Sequence, residues 1–249
     1  MPTVSTVEGL EQAAASFPVT DLNLEIEPAA LAAARRSVDE SGFLLLGEVH
    51  GARENPLVIR SVMRALGISG LALEWHEGMT AAIGAFIAGG PLADHPLLWF
   101  GDGRVTGGHL AVLRERAAHA ALSVALFDGT IPAEWDWSQQ DEAMAERILA
   151  APAAEGGTLV VAGNAHTPTT QTRYGTPLGK WLAAQRPGVR EIRIIYYEGR
   201  FYNREPRQFD PVVPAPRRAR LREEPGGLVL DLPAATEATV PERPMPWPV

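Results

Sequence analysis

Short apolar runs alternate with segments of helical periodicity along most of the chain. The apolar runs are bounded by glycine or polar residues and lie at residues 43–46, 71–73, 122–127, 158–162 and 192–197. Runs of this kind are typical of buried strands in a parallel sheet. The helical segments lie at residues 28–38, 55–66, 79–88, 110–119, 138–150 and 177–184. This alternation predicts a three-layer α/β fold, in which helices cover both faces of a mainly parallel central sheet.

The helix predicted from residue 55 has the clearest boundaries. Asn55 is of the type favoured at an N-cap, and Pro56 suits the first helical position. Gly67 follows the last apolar residue of the periodic segment and predicts the end of the helix.

The chain length of 249 residues fits one large domain with an extension. We expect a single α/β catalytic domain over residues 1–204, in which residues 1–27 form an irregular N-terminal arm. Ten of the last 45 residues are proline, and only residues 228–230 have the pattern of a strand. Residues 205–249 are therefore expected to be a proline-rich C-terminal extension that wraps the domain or is partly disordered, and that is separable from the catalytic core.

Composition excludes several functional classes. The net charge of -8 argues against a nucleic-acid partner. The absence of cysteine excludes disulfide scaffolds, thiolate zinc sites, iron–sulfur clusters and cysteine nucleophiles, and Lys180 is the only lysine. No apolar stretch approaches the ~18 residues of a membrane span, and the first residues lack the pattern of a signal peptide. We expect a cytoplasmic protein that binds a small molecule and has neither a membrane nor a nucleic acid as partner.

Carboxylates and imidazoles follow four of the predicted strands. Because ligands of parallel α/β sheets bind at the carboxyl ends of the strands, these residues are expected to share one site. They are Glu48 and His50 after the first strand, Glu74 and His76 after the second, Asp128 after the third, and Asn164 and His166 after the fourth. A single polar residue at a strand end is common, since the chain reaches solvent there. Two carboxylates and two histidines at one edge favour a catalytic site.

Further residues are assigned to the rim of this site or to the structure. Arg53 is a candidate for holding a substrate carboxylate, and Trp99 lies in a glycine-rich loop that is expected to form an apolar wall or lid. His109 is interpreted as a surface or packing residue. Asp141 is interpreted as an acidic residue in the first turn of a helix, where it complements the helix dipole.

Four segments resemble a known superfamily in their order and spacing. They read LLLGEVHG at residues 44–51, LALE at 71–74, QDEAMA at 140–145 and VVAGNAH at 160–166. Together they resemble the erythromycin esterase / ChaN-like superfamily, whose distant relatives include the TraB and Tiki proteins. The resemblance implies an α/β fold with a cleft at the carboxyl edge of a parallel sheet.

The resemblance also implies roles for four residues. In the esterase branch, the positions that match Glu48, His50, Glu74 and His166 activate water to open an ester or lactone. The Glu-x-His spacing is closest to the ChaN-like, haem-binding branch, although Gly51 stands where that branch has Asp. This implies the alternative of a haem- or metal-binding protein without turnover, in which the same four residues are candidate ligands of a divalent metal such as zinc or manganese. The leading interpretation assigns no cofactor, and a divalent metal or haem belongs to the alternative.

The leading hypothesis is an enzyme that acts on a small or medium hydrophobic molecule by Glu/His acid–base chemistry. Its reaction would be ester or lactone hydrolysis or a related proton-transfer reaction, for example in natural-product metabolism. His50 or Glu74 is expected to be the general base, positioned by Glu48, and His166 is expected to polarise a carbonyl or to protonate the leaving group. Because two carboxylates would lie close together and partly desolvated, we expect a raised pKa for the carboxylate that acts as acid or base.

Overall fold

A computed structural model describes residues 3–243 and places the predicted strands in one large sheet. In chain order, the strands are β1 (Thr3–Val4), β2 (Glu25–Ile26), β3 (Phe43–Glu48), β4 (Gly70–His76), β5 (Ser123–Asp128), β6 (Thr158–Gly163), β7 (Glu191–Tyr196), β8 (Arg200–Asn203), β9 (Glu205–Gln208), β10 (Arg220–Glu224), β11 (Gly227–Leu232) and β12 (Val240–Pro241). The helices are α1 (Val7–Ser16), α2 (Pro28–Ser41), α3 (Asn55–Leu66), α4 (Thr80–Ile87), α5 (Gly107–His119), α6 (Trp137–Ala150) and α7 (Leu178–Gln185).

The central sheet has eight strands in the order β2-β10-β11-β7-β3-β6-β4-β5. Every pairing in it is parallel except that of β10 with β11. The predicted α/β class with a mainly parallel central sheet is therefore confirmed. Strand β3 lies near the middle, between β7 and β6, so the residues that follow it are surrounded by the ends of other strands.

The alternation of side chains along β3 divides the core into two layers. Leu44 and Leu46 pack on one face of the sheet, in a cluster that includes buried residues of α1 to α5. Leu45 points to the other face, where it packs with buried residues of α6 and α7. Side chains of a strand alternate between its two faces, so the continuous apolar run of β3 is explained by helices on both sides.

The N-terminal arm is more regular than its polar composition suggests. Residues 7–16 form helix α1, for which Thr6 is the N-cap and accepts a hydrogen bond from the Gly9 N–H. Leu10 and Ala14 of this helix are buried, and the helix packs against α5. Two apolar residues on one face were too weak a pattern to predict it.

The proline-rich extension contributes strands to the central sheet. Strand β11 pairs in parallel with β7, and β10 pairs with both β11 and β2. This placement differs from a tail that only wraps the domain. Within residues 205–243, five of the seven prolines lie in the connections that flank these two strands, whereas Leu221, Leu228 and Leu230 are buried in the core. The part of the extension from residue 244 onward lies outside the described residues. Within residues 3–243, no helix has the length and hydrophobicity that a membrane crossing requires.

The role of the extension in the core is testable by mutation. Leu230 of β11 is fully buried, so we expect Leu230→Ala to lower the free energy of unfolding by about 2–5 kcal/mol. Val213 lies in the same extension but is 85% exposed, and Val213→Ala is expected to change the stability by less than about 0.5 kcal/mol. Urea denaturation monitored by circular dichroism measures both. Equal, small effects would show that the extension is independent of the core.

Candidate active site

The ends of four parallel strands bring buried polar groups together at one edge of the sheet. Glu48 ends β3, Glu74 lies near the end of β4, Asp128 ends β5, and His166 follows β6. All four are buried. A buried charge is costly unless it is paired, so the partners of these groups determine what the site can do.

The carboxylate of Glu74 lies between two imidazoles. Its Oε2 atom is 3.6 Å from Nε2 of His50, and its Oε1 atom is 3.7 Å from Nε2 of His166. Oε2 also accepts a hydrogen bond of 2.7 Å from the backbone N–H of Gly163. One carboxylate therefore faces both histidines that the sequence predicts for the site.

Each of these histidines has a carboxylate of its own. Nδ1 of His50 is 3.0 Å from Oε1 of Glu48, and Nδ1 of His166 is 2.7 Å from Oδ1 of Asp141. An ionised carboxylate only accepts hydrogen bonds, so Nδ1 carries the proton in both histidines. The Nε2 atoms, which face Glu74, are then free to accept or release a proton.

Asp141 was missed as a functional residue, and the structure corrects its interpretation as a dipole-complementing residue. Its side chain is fully buried in α6 and accepts two hydrogen bonds, one from His166 and one of 2.7 Å from the backbone N–H of Leu178. Trp137, at the start of the same helix, stacks on His166 with ring centroids 4.4 Å apart and planes 9° apart. Helix α6 thus fixes both the position and the plane of this imidazole.

His109 lies on the far side of Glu48 and is buried, so of its two interpretations, as a surface or a packing residue, the first is wrong. It is 3% exposed, and its Nε2 atom is 3.7 Å from Oε2 of Glu48. Its Nδ1 atom is 2.9 Å from the hydroxyl of Thr106, which also accepts the His109 backbone N–H. Because Oε2 of Glu48 is buried and has no other partner among the described residues, His109 is the group placed to compensate its charge.

Arg104 neutralises part of the negative charge at this edge. Its Nη1 atom donates to Glu74 at 3.2 Å and to Asp128 at 2.7 Å, and its Nε donates to Asp102 at 2.8 Å. These ion pairs fix the Glu74 carboxylate from the side opposite Gly163. The sequence offered no motif for Arg104, since it follows no strand and lies in an irregular loop.

The electrostatics of the site differ from the expected raised carboxylate pKa. Burial alone would raise the pKa of Glu74, but the nearby His166, His50 and Arg104 and the Gly163 N–H outweigh burial and lower it. Burial would likewise raise the pKa of Glu48, but its interactions with His109 and His50 lower it to about 2. Both carboxylates are therefore held in the ionised form.

The two histidines shift in the opposite direction. Burial alone would lower the pKa of His50, but its hydrogen bond with Glu48 and the negative charge of Glu74 raise it. The pKa of His166 is raised for the same reason, because Asp141 and Glu74 outweigh the effect of burial. Asp141 differs from the other two carboxylates, because burial outweighs its hydrogen bonds with His166 and the Leu178 N–H and raises its pKa. The groups of this site with a raised pKa are thus the two imidazoles and Asp141.

The loop that carries His50 is held by buried contacts behind it. Asn55, expected as an N-cap, instead donates from Nδ2 to the Val49 carbonyl at 2.9 Å and accepts a hydrogen bond of 2.6 Å from Tyr196. Gly51 has φ +81°, and a Cβ atom there would lie 1.6 Å from the Tyr202 carbonyl oxygen. Only glycine fits this turn, which places His50 next to Glu74.

Residues 235–242, which we term the C-terminal strap, connect this loop with the loop of Arg104. The Ala238 N–H donates to the Gly51 carbonyl at 2.9 Å, and the Thr236 hydroxyl donates to Glu54 at 2.6 Å. On its other side, the strap accepts a hydrogen bond of 3.2 Å from the Gly101 N–H at Pro241. The strap therefore positions two loops of the site relative to each other.

Four other residues predicted for the site have different surroundings. Arg53 is exposed, with its guanidinium 5.7 Å from the Phe17 ring centroid, and His76 accepts the Gly78 N–H at the start of a short 3-10 helix. Trp99 is buried and donates to Asp94 at 2.8 Å. Asn164 has a buried Oδ1 atom without a hydrogen-bond partner among the described residues. The side chains of these four residues form no hydrogen bond with the two carboxylate–histidine pairs. The Asn164 backbone N–H, however, donates to the Glu48 carbonyl at 3.0 Å, and His76 lines a small cavity beside Glu74.

Two cavities lie near the ends of the strands. A cavity of about 20 Å³ adjoins Glu74, Arg104 and Asp128, and Phe100 rather than Trp99 lines it. It has about the volume that one water needs. A cavity of about 420 Å³ lies at the opposite, amino ends of the strands, where Gly42, Gly70 and Thr158 line it, far from the imidazoles.

The candidate metal ligands do not converge as a metal site. Within residues 3–243, no three His, Asp or Glu side chains are arranged so that they could hold a metal ion. The donor atoms of Glu48, Glu74 and His166 are directed at protein partners instead. The present geometry thus fits acid–base groups better than it fits the ligand set of the metal-binding alternative.

Comparisons with known proteins extend the description of the fold. No protein-family model matches the chain, and no curated protein matches it. A solved structure of a protein from Bacillus cereus superposes with a TM-score of 0.57 at 12% identity, over 95% of this chain and 100% of its own. A solved succinoglycan biosynthesis protein superposes with a TM-score of 0.60 at 10% identity, over 94% of this chain and 98% of its own. These likenesses show that the whole α/β fold occurs in other proteins.

The charge of Glu48 is expected to stabilise the protein in a pH-dependent way. Its pKa is about 2 in the fold and 4.5 when unperturbed, so the stabilisation is complete above pH 4.5 and is lost as the pH falls toward 2. Of this stabilisation, about 2 kcal/mol should be lost between pH 7 and pH 3.

Urea denaturation at both pH values tests this expectation. The difference in unfolding free energy between the two pH values should be smaller in Glu48→Gln than in the wild type by that amount. Glu134→Gln, which changes an exposed glutamate, is the control and should retain the wild-type difference. An unchanged difference in Glu48→Gln would mean that Glu48 is not held ionised.

Proposed function

We propose that the protein is a hydrolase that opens an ester or lactone bond in a small or medium hydrophobic molecule by acid–base catalysis. One observation carries the proposal: the Glu74 carboxylate lies between the Nε2 atoms of two imidazoles, and each imidazole has Nδ1 on its own buried carboxylate. A purely structural set of ion pairs has no need to leave both Nε2 atoms facing one carboxylate at more than hydrogen-bond distance. The resemblance of the sequence to the erythromycin esterase branch implies the same class of reaction.

His50 is the proposed general base. Its side chain is more exposed than that of His166, at 16% against 9%, so it is the imidazole that a water molecule reaches more easily. With Nδ1–H held by Glu48, Nε2 accepts a proton from a water molecule as its oxygen attacks the carbonyl carbon. The ionised Glu48 stabilises the imidazolium that forms, as a buried carboxylate does in a catalytic triad.

His166 is the proposed general acid. Its pKa is raised, as is that of His50, so exposure rather than pKa distinguishes their roles: His166 is the less exposed imidazole, and Asp141 holds its Nδ1–H. As the bond between the carbonyl carbon and the leaving oxygen breaks, that oxygen takes the proton from Nε2 of His166. Water and ester are thereby converted into an acid and an alcohol, and the two imidazoles have exchanged their protonation states.

Glu74 is placed to restore the starting state. Its two oxygen atoms each face one Nε2 atom, so a proton taken up by His50 can move to Oε2 of Glu74. A half-turn of the carboxyl group, which exchanges its two oxygen atoms, then presents this proton to Nε2 of His166. Arg104 and the Gly163 N–H hold Glu74 in this bridging position. In this scheme Glu74 is a proton bridge and Arg104 is a positioning residue, whereas the sequence alone left Glu74 and His50 as equal candidates for the base.

The first test replaces the three proposed proton-transfer residues one at a time. His50→Asn, His166→Asn and Glu74→Gln should each lower kcat/KM by about 10²–10⁴-fold, because each removes a proton-transfer group. His119→Asn changes an exposed histidine on α5 and should leave kcat/KM unchanged. Hydrolysis of 4-nitrophenyl butyrate and of γ-butyrolactone is the measurement.

Melting curves separate chemistry from folding in this test. Because the Glu74 charge is compensated by Arg104 and two imidazoles, Glu74→Gln should also lower the melting temperature modestly. If the charges of Glu74 and Glu48 mainly repelled each other, the same substitution would leave the melting temperature unchanged or raise it. Wild-type rates in folded Glu74→Gln would remove Glu74 from the mechanism. If the protein hydrolyses neither probe but shifts the Soret band of added haem stoichiometrically, the haem-binding alternative is favoured.

The second test uses the pH dependence of kcat/KM. Activity should fall toward acid pH as His50 takes up a proton, with a midpoint above 6.5 because the His50 pKa is raised from that value. Activity should fall again at higher pH as His166 loses its proton. Because His50 and His166 interact through Glu74, the acid and alkaline midpoints describe the two histidines as a pair and not each one alone.

Asp141→Asn removes the carboxylate that raises the pKa of His166, so it should move the alkaline midpoint to lower pH. Glu146→Gln changes an exposed residue of the same helix and is the matched control. An alkaline midpoint that Asp141→Asn leaves in place would contradict the assignment of His166 as the acid.

A further inference from the structure

Most of the exposed large apolar side chains lie on the two loops that precede α6 and α7. Among residues 3–243, the exposed large hydrophobic residues are Ile131, Trp135, Tyr174, Val212 and Val213. The first two lie in the loop between β5 and α6, and Tyr174 lies in the loop between β6 and α7. Because His166 also follows β6, three of these five residues lie on the two loops that border this imidazole. Exposed apolar residues that cluster at a site mark a binding surface.

A continuous series of aromatic rings leads from His166 to the surface. Trp137 stacks on His166 with centroids 4.4 Å apart, and Tyr174 lies 5.7 Å from Trp137 at an angle of 39°. The Tyr174 side chain, at the outer end of the series, is 53% exposed. The series therefore offers an apolar surface that begins at the proposed acid.

Tyr174 is exposed but firmly positioned. It lies in a tight turn closed by two backbone hydrogen bonds between Thr172 and Gly175, of 3.1 and 3.4 Å. The turn is fixed to the start of α6, because the Thr176 N–H donates to the Ser138 hydroxyl at 2.9 Å. Arg173 also donates a hydrogen bond of 2.5 Å to the Tyr174 hydroxyl. The aromatic ring thus has a fixed place beside Trp137 at little entropic cost to a ligand.

We propose that Trp137 and Tyr174 form a subsite for a flat, apolar alcohol group of the substrate, such as the aryl group of an aryl ester. This inference rests on the proposed function, because it takes the leaving oxygen to lie at His166. An alcohol group that receives its proton from His166 must extend away from that imidazole, and the surface next to it is aromatic. Stacking and apolar contact, rather than an ion pair, would then select the substrate.

A binding experiment tests the subsite independently of turnover. In the ¹⁵N-labelled protein, titration with 2-naphthol should shift the indole N–H signal of Trp137, which is assigned by its loss in Trp137→Phe. Tyr174→Ala should raise the Kd for 2-naphthol about 3- to 10-fold, the effect of losing one aromatic contact. Tyr174→Phe keeps the ring and should retain the wild-type Kd. Val213→Ala, which removes an exposed apolar side chain elsewhere, should do the same.

A turnover experiment tests which part of the substrate binds there. Tyr174→Ala should raise KM for 1-naphthyl acetate about 3- to 10-fold with little change in kcat, and should lower kcat/KM for ethyl acetate by a smaller factor. For each ester, the ratio of the variant's kinetic constant to that of the wild type is used, because this ratio does not contain the ester's own chemical reactivity. An equal loss on both esters would overturn the assignment to the alcohol group.

The outcomes separate this inference from the proposed function. If the wild type hydrolyses neither ester but binds 2-naphthol in a Tyr174-dependent way, hydrolysis is wrong and the aromatic site is supported. If it hydrolyses both and Tyr174→Ala binds 2-naphthol as the wild type does, the subsite is wrong and hydrolysis stands. A dimer in sedimentation velocity that dissociates in Tyr174→Ala would also overturn the subsite, because a second copy would then cover this surface.

Discussion

Compensation of buried negative charge is the constraint on which this site depends. Parallel strands deliver Glu48, Glu74 and Asp128 to one edge of the sheet, where ionised carboxylates are costly without partners. Arg104 pairs with two of them, and imidazoles face the other charges. Among the described residues, Arg104 is the one arginine that pairs with any of these three carboxylates. The histidines therefore compensate the remaining negative charge, and their protonation is coupled to the charge of the site. A group of ion pairs with this composition is suited to moving protons.

The sequence predicted the fold and the four residues at the centre of the candidate site. Apolar runs identified the strands, and the residues that follow them include Glu48, His50, Glu74 and His166, which the structure brings together. Asp141 and His109 could not be found in this way, because both lie on helices and reach the site only through packing against the sheet. The QDEAMA segment at residues 140–145, which carries part of the resemblance, was the available signal for Asp141. Its predicted place in the first turn of a helix offered a simpler explanation, whereas the helix begins four residues earlier, at Trp137.

The C-terminal extension shows a second limit of composition as evidence. Proline is unfavourable inside a sheet, so a segment rich in proline is readily taken for a tail. Up to residue 243, most prolines of the extension lie in connections, and the short strands between them pair with β7 and β2. Pairing of this kind joins residues far apart in the chain, and local periodicity contains no information about it. The same holds for the C-terminal strap, whose contacts are made mostly by the backbone.

The strap also bears on how the protein is made. Thr236 and Glu54, which it joins, are 182 residues apart in sequence. During synthesis, β3 and the loop of His50 leave the ribosome long before the strap exists, so a nascent chain can contain every proposed proton-transfer residue without having them in position. The contacts that join the two loops can form only after nearly the whole chain has been synthesised. A chain that ends before the strap would have all of these side chains but would lack the backbone contacts that position the loops of His50 and Arg104 relative to each other.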